Sequence, residues 1–135
     1  METDGKVSLV LFSGTDDKLQ AAAVLVAGAA AMGRTVDVLL QFWALDAFRA
    51  DRIRKDHGAA GEAGPEGLAA MQRQNGLHWS EVIAQVRQIG EVFIHACAQS
   101  MEMLDITKDD LDPLVDDVEG VAAFMSDATG SITFI

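Results

Sequence analysis

Cys97 is the single cysteine of this sequence. It stands in the run Glu91-Val92-Phe93-Ile94-His95-Ala96-Cys97-Ala98-Gln99-Ser100-Met101, where an apolar stretch of strand character gives way to a helical pattern. A strand would hold the thiol rigidly. The first N–H groups of the following helix, those of Ala98 and Gln99, would point at the sulfur and favour its anion. The thiolate is the form that attacks or that carries sulfur. Burial among Phe93, Ile94 and Met101 would oppose ionisation. His95 lies two residues earlier, so in a strand its imidazole shares a face with the thiol and could lower its pKa or shuttle a proton. Each residue also has a plainer role: a buried cysteine that only packs, and a partly buried histidine satisfied by a backbone carbonyl.

Ser13-Gly14-Thr15-Asp16-Asp17-Lys18 follows an apolar run and opens a helical pattern, the position of a phosphate-binding loop. It lacks the second glycine and the Gly-Lys-Ser/Thr ending, and Asp16 and Asp17 would repel a phosphate there. Ser13, Gly14 and Trp43 remain candidates for lining a small-ligand pocket beside Cys97, with Ala98 and Gln99 on its other side. Core or interface packing competes for Trp43 and Trp79, as it does for any ring of that size. The acidic stretch Asp109–Asp117 has no glycine-centred calcium-loop spacing. His57, His78 and His95 are scattered, and no metal centre is assigned. No Ser-His-Asp arrangement can be argued from linear order.

The elements that must position these groups alternate. Lys6–Phe12, Thr35–Gln41 and Val92–Ala96 read as strands, with a brief strand near Val118 and a terminal one at Ser131–Ile135. Asp16–Met32 reads as a helix capped by Ser13 or Thr15 and stopped by Gly33, with Leu19, Ala22, Ala23, Val26 and Ala30 inward. Trp43–Ile53 and Leu68–Gln74 suggest shorter helices. Ser80 is placed as the cap of an amphipathic helix carrying Val82, Ile83, Val86 and Ile89 on one face and ending at Gly90. Gly120–Ala128 reads as a helix with Val121, Phe124 and Met125 inward. Residues 55–67, rich in glycine and alanine, read as a flexible surface loop. Strands alternating with helices predict an α/β fold: a single domain over residues 1–135, with about five mainly parallel strands and helices on both faces.

Half of the 135 residues are hydrophobic, which suits one globular core. One cysteine excludes a disulfide framework and suits a reducing compartment. Net charge is −11, from 21 acidic and 10 basic residues, which argues against a nucleic-acid partner. Arg49, Arg52, Arg54 and Lys55 cluster, but Asp46, Asp51 and Asp56 are interspersed, as on a solvated helix face. The amino terminus lacks the basic patch and apolar core of a signal peptide, and Leu19–Met32 is too short to span a bilayer. A soluble cytoplasmic protein with no membrane partner is expected.

The sequence also resembles a family. The resemblance rests on Val7–Phe12 running into Ser13-Gly14, the alanine-rich helix ending Ala31-Met32-Gly33, and Val36–Leu40 followed by Phe42-Trp43. It extends through Phe93–Met101, Leu104-Asp105-Ile106 and Val118–Ala122. These segments resemble the DsrE/DsrF-like family of small sulfur-relay proteins over nearly the whole chain. The resemblance implies a five-stranded, mainly parallel sheet and assembly into a homotrimer or homohexamer. It implies sulfane sulfur held as a persulfide at the position of Cys97, received from and passed to donor and acceptor proteins or small sulfane-sulfur compounds. Some members carry a second cysteine where this chain has Asp105. On that reading His95 tunes the thiol, and neither a metal nor an organic cofactor is required. An assembly would cover Trp43, Phe48 and part of the alanine-rich helix. The alternative is a non-catalytic oligomeric module that binds a small ligand.

Overall fold

The structure, a computed structural model, describes residues 5–55, 64–75 and 77–135. Five strands form one sheet: β1 (Val7–Leu11), β2 (Val36–Leu40), β3 (Val92–Cys97), β4 (Asp117–Glu119) and β5 (Ile132–Phe134), in the order β4-β3-β2-β1-β5. Every strand pairing is parallel, as expected. The helices are α1 (Asp16–Ala31), α2 (Phe42–Ala47), α3 (Gly64–Asn75), α4 (Trp79–Ile89), α5 (Ala98–Leu104) and α6 (Val121–Asp127). A single 3-10 turn at Lys108–Asp110 precedes β4.

The first face of the sheet carries the main core. Leu9 and Leu11 of β1, Val36, Val38 and Leu40 of β2, and Val92, Ile94 and Ala96 of β3 alternate onto it and meet α1, α2 and α4. Met101 and Leu104 bring α5 onto the same face. The second face is far thinner: Val10, Leu39, Cys97 and Phe124 of α6 form its apolar cluster, with Val121 and Ile132 beside it. Chain direction explains the asymmetry. From β1 to β4 each crossover steps the same way across the sheet, and right-handed connections put their helices on one face. The β4–β5 crossover runs back past β3, β2 and β1, so the same handedness places α6 on the other face.

Several boundaries differ from the sequence reading, each for a local reason. The helix after β2 stops at Ala47 and does not reach Ile53; Phe48 caps it and turns into the core against Trp79, with ring centroids 5.1 Å apart. In the predicted loop, residues 56–63 lie outside the described residues, His57 among them, but Gly64, Pro65, Glu66 and Gly67 already belong to α3. His78, not Ser80, caps α4: its ring accepts from the Ser80 amide at 3.2 Å while the Glu81 carboxylate accepts from the His78 amide at 3.2 Å. Ile89 and Met125, expected inward, are 83% and 59% exposed: Ile89 is the last residue of α4, and on α6 it is Phe124, one residue before Met125, that turns inward. At the end of α1, Ala30 packs partly buried against the core as expected, and Ala29 is buried beside it.

Gly33 ends α1 as expected. It adopts φ +77°, and the amides of Gly33 and Arg34 reach back to the carbonyls of Ala30 and Ala29 at 2.9 and 3.1 Å. No described helix is long and apolar enough to cross a membrane. The basic cluster lies in the turns after α2 and not on the helix face that was expected; within it Arg49 lies 3.9 Å from Asp46 and 3.6 Å from Asp51, and Arg52 also pairs with Asp46.

Candidate functional site

Cys97 is the last residue of β3 and the N-cap of α5. Strand alternation turns its side chain to the second face, into the cluster of Val10, Leu39 and Phe124, where the residue is only 1% exposed. The connections, not the strands, part at this point. β3 feeds α5 on the first face and β4 feeds α6 on the second, so the carboxyl ends of β3 and β4 flank the position where successive connections diverge. In open α/β sheets such a divergence opens the crevice in which ligands bind.

The thiol does not cap α5; its side chain makes no hydrogen bond with the first amides of that helix. The expected contact from the Ala98 and Gln99 N–H groups is therefore absent from this geometry. Gln99 meets the sulfur through its side chain instead: Cys97 Sγ donates to Gln99 Oε1 at 3.5 Å.

His95 does share the face of Cys97, as two-residue spacing requires. Its ring nitrogens, however, both serve carboxylates. Nε2 lies 2.5 Å from Asp37 Oδ1 on β2, and Nδ1 lies 2.5 Å from Asp117 Oδ1 on β4. Lys6 Nζ extends the row, donating to Asp37 Oδ2 at 3.1 Å. Burial alone would lower the pKa of His95, but the hydrogen bonds to Asp117 and Asp37 and their negative charges outweigh it, so the pKa is raised above 6.5. The histidine is thus satisfied by two carboxylates rather than by a backbone carbonyl, and neither ring nitrogen is left to take a proton from sulfur.

Sequence reasoning missed Asp37, Asp117 and Glu119. Parallel register pairs His95 with Asp117 and Cys97 with Glu119, so all four rise from the same face. Burial, followed by the nearby charges of Asp37, Asp117 and Asp127, pushes the pKa of Glu119 up, with His95 pulling the other way. A clue was present in the sequence: Asp37 falls in the middle of a strand that is otherwise apolar, where a buried charge needs a partner. Asp117 and Glu119 gave no such signal, because they end a run of solvated acids.

Ser13, Gly14 and Trp43 do come together. With Phe12, Thr15 and Arg52 they line a cavity of about 380 Å³ at the carboxyl ends of β1 and β2. Cys97, Ala98 and Gln99 are not among its lining residues. Gly14 is required there, since a Cβ would come within 2.4 Å of the Trp43 carbonyl oxygen. Asp16, at the start of α1, is buried and accepts from Trp79 Nε1 at 2.8 Å.

A parallel α/β sheet with a cysteine at the divergence of its connections defines the class of protein. The profile of the DsrE/DsrF/DrsH-like family matches residues 3–75, and the chain belongs to that family. It is 28% identical over 153 aligned positions to YrkE of Bacillus subtilis (strain 168), a protein described as uncharacterized, covering 94% of this chain and 93% of the relative. The fold is similar to that of MTH1491 from Methanobacterium thermoautotrophicum, a protein of unknown function, with a TM-score of 0.62 at 18% identity over 98% of both chains.

Proposed function

We propose that this protein is a cytoplasmic sulfur carrier that holds sulfane sulfur as a persulfide on Cys97. The observation that carries this reading is the position of Cys97: the end of an inner strand, where the β3 and β4 connections part, in a chain of the DsrE/DsrF/DrsH-like family. One thiol suffices for carriage, because the sulfur atom is both cargo and reactive group. Asp105 occupies the position of a second family cysteine, on a left-handed residue that ends α5, so no resolving thiol acts within the chain. The acceptor therefore supplies its own. Donor and acceptor are proteins or small sulfane-sulfur compounds, and the working unit is a homotrimer or homohexamer.

Burial sets a condition on the chemistry. A thiol 1% exposed meets a donor only when Phe124 and α6 move aside. The thin second face makes that movement cheaper than any opening of the main core would be. Intact mass after incubation with polysulfide or thiosulfate tests the reading. A gain of one sulfur atom per chain, removed by a reductant, is expected. The second reading, a small-ligand module, draws on the cavity at Ser13, Gly14 and Trp43. A chain that takes up no sulfur under conditions where free thiols react would favour that module.

A further inference from the structure

His95 ties three elements together on the second face. Its ring nitrogens each lie 2.5 Å from a carboxylate oxygen, of Asp37 on β2 and of Asp117 on β4, and its ring meets Phe124 of α6 edge-on with centroids 6.3 Å apart. Phe124 is also the α6 side chain packed with Cys97. An imidazolium donates to both carboxylates; a neutral imidazole has one N–H and one lone pair, so it holds only one. The two carboxylates are not equivalent. The Asp37 side chain is 10% exposed and also bound by Lys6, whereas that of Asp117 is 59% exposed, so water can replace the ring there. Loss of the proton therefore releases the β4 side. The chain around that contact is anchored at both ends. Asp116 bonds Ile94 through its amide and its carboxylate, each at 2.8 Å, and Thr129 Oγ1 accepts from the Lys6 amide at 3.1 Å. Between those anchors lie β4 and α6.

We propose that His95 is a pH-sensitive latch on Cys97: its protonated ring fastens β4 to β3 and keeps α6 closed over the thiol, and deprotonation frees residues 117–128 to move out. The latch stands on its own geometry; that it regulates sulfur loading rests on the sulfur-carrier reading above. The ionisable groups facing the ring are Asp37 from β2, with Lys6 behind it, and Asp117 and Glu119 from β4. Glu119 Oε1 stands 3.9 Å from Nδ1 and is itself influenced by Asp127 of α6, while α6 presents apolar Phe124 to the ring. The carboxylates hold the imidazole above 6.5 against the effect of burial. The latch is therefore shut in acid and opens as pH rises through the raised value.

Amide hydrogen exchange, corrected at each pH for the intrinsic exchange rate, measures the opening without using the thiol. Amides of β4 report the latch, and amides of β2 report global unfolding. In the parent, β4 should open more often than β2. Its opening constant should climb by at most about tenfold per pH unit between the open-state and closed-state pKa values of one imidazole. His95→Gln cannot fasten both carboxylates with a charge, so its opening constant should stay at the high level at every pH. A parental opening constant that ignores pH, or β4 that opens only together with β2, would overturn the proposal. Asp117→Asn serves if His95→Gln does not fold. An amide can donate to a neutral ring, so the latch should stay shut and the climb disappear; a climb like the parent's would overturn the proposal. Sulfur loading at mildly acidic pH, followed by intact mass, links the latch to the thiol. His95→Gln should load faster than the parent by the factor by which its opening constant is larger. Loss of a positive charge beside the thiol would by itself slow loading, so equal or slower loading overturns the regulation. Exchange as predicted with no sulfur taken up by either protein would sink the carrier reading alone. Uptake by a parent whose exchange ignores pH would sink this inference alone.

Discussion

A histidine with a carboxylate on each ring nitrogen is a tie between strands before it is anything else. The geometry of Asp37, His95 and Asp117 moves His95 away from direct proton exchange with Cys97 and leaves its charge as its means of influence on sulfur. Cys97 and His95 were legible as a same-face pair, because their spacing in a strand fixes that. Their partners were not, since register between strands distant in sequence brings Asp37, Asp117 and Glu119 to the site. Cys97→Ser tests the thiol at this scale. Serine's hydroxyl keeps the size and can still donate to Gln99, so the fold should survive with a loss of about 1–2 kcal/mol for a hydroxyl in apolar surroundings. Urea unfolding measures this. A variant that fails to fold would mark Cys97 as a packing residue.

The elements at stake are β4 and α6. β4 is a three-residue edge strand, and the His95–Asp117 hydrogen bond is one of the ties that hold it to β3. Asp37→Asn weakens charged hydrogen bonds to both His95 and Lys6 and should cost about 1.5–3 kcal/mol, read as a lower urea midpoint. pH acts on the same tie. The folded pKa of His95 is raised, so its stabilising contribution is complete below the unfolded value of about 6.5 and is lost as pH rises through the folded value. Glu119, also raised, slopes in the same direction from lower pH. Denaturant midpoints should therefore fall on going from mildly acidic to alkaline solution. His95→Gln should flatten the part of that slope above about pH 6.5; an unchanged slope would show that the tie does not titrate in this range.

For the whole molecule, alternating apolar runs and helical stretches were enough to predict the parallel sheet. Periodicity placed the inner stripe of α1 but misjudged Ile89, the last residue of α4, and Met125, whose neighbour Phe124 takes the inward position on α6. Phe48, thought to need a neighbouring subunit, is covered within one chain. Trp43 remains 55% exposed, and Val24, Leu25 and Met32 leave an apolar strip on α1. In the trimer or hexamer proposed above, those groups are the ones expected to be buried. Light scattering at micromolar concentration should give a mass at least three times that of the chain; a monomer would contradict the assembly.

The central claim, that Cys97 carries transferable sulfur, is tested most directly by cyanolysis of the loaded protein. After treatment with polysulfide and removal of excess reagent, cyanide should withdraw the outer sulfur as thiocyanate and return the free thiol. The account predicts one equivalent of thiocyanate per chain from the parent and none from Cys97→Ser. No thiocyanate from a folded, fully treated parent, or an equal yield from Cys97→Ser, would contradict it.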